Sequence, residues 1–301
     1  MGTDPDPVTQ ANDFLAAAAP AVWAALSPLG RRALQPASFL PLQTAEARGK
    51  PFNATIGQIT DGHGVAVPLP SMAAALAGLE EAERSRAFLY SPVEGLPELR
   101  RAWRDRQRRG VDPGPPSSLP LVTVGTAHAR SLATDLFAGE GRTVLHSGHE
   151  EDVSRLLAGL PEGEPAVVLL EFPQQANGYA PVTRERAALC DALAEEAERR
   201  PLVVLVDDTW EGMGTPSASL FWGLACRHAN LIPIKIDGAD GQLGFPGGRV
   251  GFLTFPFEPE SALAKSLESK AKMLLRAQVG SPPAMTQVLL LRALQARLQV
   301  I

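Results

Sequence analysis

Cysteine is scarce in this chain, with two residues in 301, Cys190 and Cys226. A disulfide framework is excluded, and the apolar, helix-patterned surroundings of both predict buried thiols in a reducing compartment. No apolar run approaches the roughly 20 residues that a membrane span needs. The first residues, MGTDPDPVTQ, lack the basic start of a secretory signal. Met1-Gly2 is no lipidation signal either, because Asp6 stands where Ser or Thr is required. These absences predict a cytoplasmic protein with no membrane partner. Excess positive charge is missing too: the net charge is -5 and the pI near 5.6, which argues against a nucleic-acid face. The one basic run, RRAWRDRQRR from Arg100 to Arg109, places Arg104 and Arg108 at helical spacing around Trp103 and reads as a solvated helix face. There is no internal repeat, no G-x-G-x-x-G and no P-loop, which disfavours an unrelated nucleotide-binding α/β protein.

What the chain does have is apolar residues, 45% of the total, enough to bury a large core in one domain or two. Short aliphatic runs occur at 119–124, 143–145, 166–172, 202–206, 231–236 and 250–255. Their near-continuous apolarity suits strands covered on both faces. Helical patterns lie between them at 131–137, 151–157, 184–199 and 218–228, with two more at 258–277 and from 284 onward. The 184–199 segment is the clearest: Leu189, Leu193 and Ala197 are spaced for one face, Thr183 is available as N-cap and Pro201 follows. The alanine- and proline-rich start carries one or two short helices over 11–26. Strand–helix alternation predicts a doubly wound, mostly parallel α/β sheet with functional groups at the carboxyl ends of its strands.

Three features at predicted strand ends can carry chemistry. Gly125-Thr126-Ala127 joins the strand LPLVTV to a helix, an arrangement suited to a phosphate but also common in α/β sheets. Asp207 and Asp208 end the strand PLVVLVDD, where a carboxylate serves either a ligand or a helix cap. Arg249 precedes the strand VGFLTF and could equally be a surface partner for an acid.

The order of several motifs is more specific. Asn53-Ala54-Thr55-Ile56-Gly57 with Pro68-Leu69-Pro70-Ser71 comes first, then Tyr90-Ser91-Pro92-Val93-Glu94-Gly95-Leu96-Pro97-Glu98-Leu99-Arg100. After them come Gly125-Thr126-Ala127-His128, the stretch Glu171 to Tyr179 (EFPQQANGY), Asp207-Asp208-Thr209-Trp210-Glu211-Gly212, Lys235-Ile236-Asp237-Gly238-Ala239 and Arg249-Val250-Gly251. In this order they resemble the amino-terminal three quarters of a class I/II aminotransferase, a pyridoxal phosphate (PLP) enzyme of fold type I. The resemblance covers roughly residues 50 to 295. It implies a seven-stranded-type large domain over 61–280, an N-terminal arm and partial small-domain segment over 1–60, and the start of a truncated C-terminal segment over 281–301. It implies amino-group transfer between an amino acid and a 2-oxo acid, and a homodimer in which Tyr90 reaches the partner subunit's phosphate. Cofactor contacts fall on Gly125, Thr126, Ala127, Gln175, Asp207, Trp210, Arg249 and Tyr90, with Asp207 on the pyridinium; no metal is implied.

A PLP site needs a phosphate cradle with a cation, a buried carboxylate for the ring nitrogen, a stacking partner, and a lysine that forms the Schiff base. The departures cluster at this chemistry. Gln175 replaces an asparagine, Ala176 and Asn177 replace a proline and threonine, Trp210 replaces a tyrosine, and Ala127 lacks a hydroxyl. His149, beside Glu150 and Glu151, stands near the stacking aromatic. Gly241 stands at the Schiff-base lysine. Lys235, six residues upstream, is the candidate to replace it, and at roughly 3.3 Å per strand residue it falls well short unless the glycine-rich loop rearranges. The resemblance therefore implies an aminotransferase with impaired or lost catalysis, or alternatively a non-catalytic PLP-binding, scaffold or regulatory homologue.

Overall fold

The computed structural model describes residues 6–33, 45–47, 49, 60–61, 63–138, 144–147, 155, 157–160, 163–172, 181–212 and 219–298. The chain divides into two compact units, Met1–Val65 and Ala66–Ile301. The first holds helices α1 (Pro7–Ala18), α2 (Pro20–Ala25) and α3 (Pro28–Arg32). Each begins on a proline, whose fixed φ and missing N–H suit the first helical position. Asp6 caps the first, and the Arg31 guanidinium lies 4.3 Å over the Trp23 ring.

The second unit is built on one sheet. Its strands are β1 (Leu121–Val124), β2 (Val144–Ser147), β3 (Ala166–Glu171), β4 (Leu202–Asp207), β5 (Leu231–Gly238) and β6 (Val250–Thr254). They lie in the order β1-β6-β5-β4-β3-β2. β2 to β5 run parallel, while β6 is antiparallel to both β5 and β1. All six predicted apolar runs are strands. The reversal of β6 follows from its short connection to β5, because a parallel return needs a crossover of a dozen residues or more.

Alternation along the strands sorts side chains onto two faces. Val203 and Leu205 of β4, Ile234 and Ile236 of β5 and Leu253 of β6 meet helices α7 (Gly125–Phe137) and α11 (Ala262–Val279) through Ala129, Leu132, Ala271 and Leu275. On the opposite face, Val204 and Val206 join helix α8 (Thr183–Arg199) and the short helix α9 (Leu220–Leu224). Farther along that face, Val122, Val250 and Phe252 pack with helices α4 (Pro70–Ala77), α6 (Pro97–Gln107) and α12 (Ala284–Leu298). Helix α5 (Glu81–Ala87) is fastened to α12 by the Arg292–Glu83 bond of 2.5 Å.

Two expectations are corrected. Cys226 is exposed, in a turn with φ 67° after α9, because that helix stops at Leu224 and does not continue to 228; Cys190 is buried as expected. The basic run is not simply a solvated face. Arg100 is buried, with Nη2 donating at 2.8 Å to Glu268 and Nε at 2.8 Å to the Pro120 carbonyl. Trp103 is fully buried and stacks on Phe252 at 4.2 Å. The guanidinium of Arg100 lies where α6 meets α11 and the start of β1, and carbonyls with a carboxylate satisfy it there.

Candidate active site

The candidate site lies at the carboxyl ends of β4 and β5, on the face covered by α7. Asp207 ends β4 and is fully buried. Its Oδ2 pairs closely with Nη2 of Arg130 on α7, and its Oδ1 accepts from the Thr209 amide at 3.0 Å and from the Thr209 hydroxyl. The sequence reading missed Arg130. Its signal was an arginine in the second turn of the helix opened by Gly125, one turn above the expected phosphate junction.

The Gly125 junction is tight. Gly125 has φ 77°, and a Cβ there would sit 2.3 Å from the Arg249 guanidinium. Gly251 brings β6 equally near, since its Cβ would fall 2.4 Å from the Gly125 carbonyl carbon. Only glycine allows this approach of strand, arginine and helix N-terminus. Thr126 is buried, Ala127 exposed, and Arg249 sits in the left-handed region with φ 48° just before β6.

Arg249 is not a free cation. Its Nη1 donates at 3.0 Å to Oδ2 of Asp240, which lies in the one-turn helix α10 (Ala239–Gln242) that follows β5. Asp240 is 8% exposed. Burial pushes its carboxyl up to about 6, against the pulls of Arg249 and, more weakly, of the Thr126 amide at the start of α7. Its Oδ1 is buried as well. Asp240 was legible as the residue beside Gly241, but not as a partner of Arg249.

Gly241 is buried, and its position admits no side chain. A Cβ would lie 2.4 Å from the Thr209 carbonyl oxygen and 2.6 Å from the Trp210 ring. Trp210, half-buried, therefore leans over the place where a lysine side chain would begin.

Lys235 is on the other face of the sheet. It stands in register with Val206 of β4, while Asp207 stands in register with Ile236. Period-two alternation thus sends Lys235 and Asp207 in opposite directions. Lys235 is fully buried, in close contact with Asp208, 2.8 Å from Glu211 and 3.8 Å from Asp237. Burial opposes its charge, but the three carboxylates outweigh that and hold the ammonium firmly protonated. Asp237 in turn accepts from Trp103 Nε1 at 3.0 Å and from Gln107. Burial raises its carboxyl, against the pull of Lys235.

The chain has five lysines. Lys265 and Lys272 pair with Glu260 and Glu94, Lys270 is exposed, and Lys50 lies outside the described residues. None of the described lysines touches Asp207 or Arg249. The structure thus brings together Gly125, Thr126, Arg249, Asp207 and Trp210, and separates Lys235 from them. Tyr90 is 97% exposed. Gln175, Ala176, Asn177, His149, Glu150 and the segment 53–57 lie outside the described residues. Among the described residues no cluster of acidic, histidine or cysteine side chains could hold a metal, and no helix is long and apolar enough to cross a membrane.

No family model and no curated protein matches the sequence. Solved structures do match the fold. An aromatic amino acid aminotransferase from Psychrobacter sp. B6 has a TM-score of 0.69 at 15% identity, over 89% of this chain and 75% of the other. An aromatic-amino-acid aminotransferase from Burkholderia pseudomallei, covalently bound to pyridoxal phosphate, gives 0.67 at 16%, over 91% and 77%. Aspartate aminotransferase from Thermus thermophilus, as a double mutant, gives 0.63 at 18%, over 88% and 72%. The six-stranded sheet, with its reversed β6, is laid out on the fold of these aminotransferases.

Proposed function

We propose that this chain is a non-catalytic relative, in fold, of the PLP-dependent aminotransferases, acting as a binding or scaffold protein rather than as an amino-group transferase. The observation that carries this reading is the closed position of Gly241. A Schiff-base nucleophile needs a lysine on the Asp207–Arg249 side of the sheet. There the Thr209 carbonyl and the Trp210 ring leave no room for one. Lys235 does not substitute, because its ammonium is buried on the opposite face among three carboxylates, and a nucleophilic amine must be neutral and must reach its target. A lysine-bound PLP therefore does not fit the described residues. Asp207, Arg249 and the Gly125 turn keep the framework of such a site without its chemistry. The same reading includes a cytoplasmic homodimer, supported by the full exposure of Tyr90 at the position that the family resemblance assigns to the partner's site.

The test is absorbance of the purified chain with added PLP, followed by borohydride reduction and peptide mapping. We expect all cofactor to leave on dialysis and no lysine to carry label at stoichiometric yield. Stoichiometric label on a single lysine, together with transfer of an amino group to a 2-oxo acid, would sink the proposal.

A further inference from the structure

On the face of the sheet away from Asp207, a cavity of about 440 Å³ opens between the C-terminal end of α6 and the turn after β4. That is the size of a small-molecule site. Its inner end is acidic. Glu211 and Asp237 line it, and together with Asp208 they share the single ammonium of Lys235. Asp237 is occupied, 1% exposed and held by Trp103 and Gln107. Glu211 is not sealed. Its side chain is 26% exposed, so it is the carboxylate that a ligand can reach.

The mouth of the same cavity is basic. Arg106 lines it and donates from Nη2 at 3.3 Å to Gln242 of α10. Arg109 lines it too and is exposed, and its guanidinium has neither an ion pair nor a hydrogen bond. Val111 and the Trp222 ring add apolar wall. A simple cation would meet the two guanidiniums at the mouth, and a simple anion would meet the carboxylates within. A molecule that carries an ammonium and a carboxylate at the two ends of an aliphatic chain matches both ends and the apolar wall. An α-amino acid, whose two charges leave one carbon, presents both to the same place.

We propose that the cavity binds a small ω-amino carboxylate, with its ammonium on Glu211 and its carboxylate on Arg106 and Arg109. This cavity and the Asp207–Arg249 site lie on opposite faces of the sheet, so ligand binding here and the borohydride result are decided separately.

Calorimetry with the purified chain tests γ-aminobutyrate, δ-aminovalerate and ε-aminocaproate against three controls. Hexylamine lacks the carboxylate, hexanoate lacks the ammonium, and norleucine is the isomer of ε-aminocaproate with both charges on one carbon. The best-fitting ω-amino carboxylate should bind at least ~10-fold more tightly than any control. Arg109→Gln, a change at an exposed and unpaired side chain, should weaken that ligand at least ~5-fold and leave hexylamine unaffected. Glu211→Gln should weaken the ω-amino carboxylate and hexylamine alike, with circular dichroism and a cooperative melt establishing that it is folded. Should it not fold, the ligand series and Arg109→Gln decide. No binding by any ω-amino carboxylate overturns the proposal, as does norleucine or hexylamine binding equally well, or an Arg109→Gln affinity equal to that of wild type.

Discussion

Two clusters of buried charge lie back to back on one sheet, and they solve the same problem differently. On the face toward α8, one ammonium, Lys235, is sealed among Asp208, Glu211 and Asp237, and Asp237 is in turn held by Trp103 and Gln107. That network ties the end of β4, β5, β6 and α6 together. On the face toward α7, charges pair one to one: Arg130 with Asp207, Arg249 with Asp240. Here both cations reach solvent, with side chains 37% and 45% exposed. The first cluster holds the fold together. The second has the openness of a binding site but no vacancy of charge.

The comparison predicts unequal costs. Lys235→Met should destabilise most, by about 3–5 kcal/mol in a urea melt, because it leaves buried carboxylates without their cation. Arg130→Met should cost less, about 1–3 kcal/mol, because Asp207 keeps both bonds from Thr209 and water can reach the vacated place. If the Arg130 variant proves as unstable as the Lys235 variant, the distinction between a structural and an open cluster fails. Gly241→Ala should follow, at about 1–3 kcal/mol, from the contact its Cβ would make with the Thr209 carbonyl. Gly241→Lys should be no better and should gain no borohydride-trapped label; a stable Gly241→Lys protein carrying an aldimine would show that the position has room for a lysine.

The smallest effect is in pH dependence. The Asp240 carboxyl titrates near 6 in the folded chain, above its value when unfolded. The folded state therefore binds the extra proton between roughly pH 4 and 6, and stability from this group declines as pH rises through that window. The difference in stability between wild type and Asp240→Asn, measured by melts across the window, should carry that slope; a constant difference would contradict it.

Much of the frame was legible in the sequence, and the reason is periodicity. Runs such as LVVLV must lie inside a sheet, and an acid ending such a run must sit at its carboxyl edge, which is where Asp207 is found. The gap at Gly241 was legible too, because a missing lysine needs no geometry to notice. The face on which Lys235 lies was not, since parity along one strand says nothing about a neighbour until the register is known. Arg130 and Asp240 escaped for a related reason. Each is a polar residue in a helix or turn, where the default reading is solvent, and only the approach of Gly125 to Arg249 and of α7 to the sheet turns them inward. The buried guanidinium of Arg100 was misread on the same default.

The Arg130–Asp207 pair also bears on how the chain relates to its surroundings. A protein whose buried acid waits for a ligand's positive ring gains stability from that ligand by mass action, and its melting temperature follows the ligand's concentration. Here the countercharge is covalently part of the chain, at a fixed and permanent effective concentration. Folding of this protein therefore does not wait on an outside ligand to neutralise Asp207.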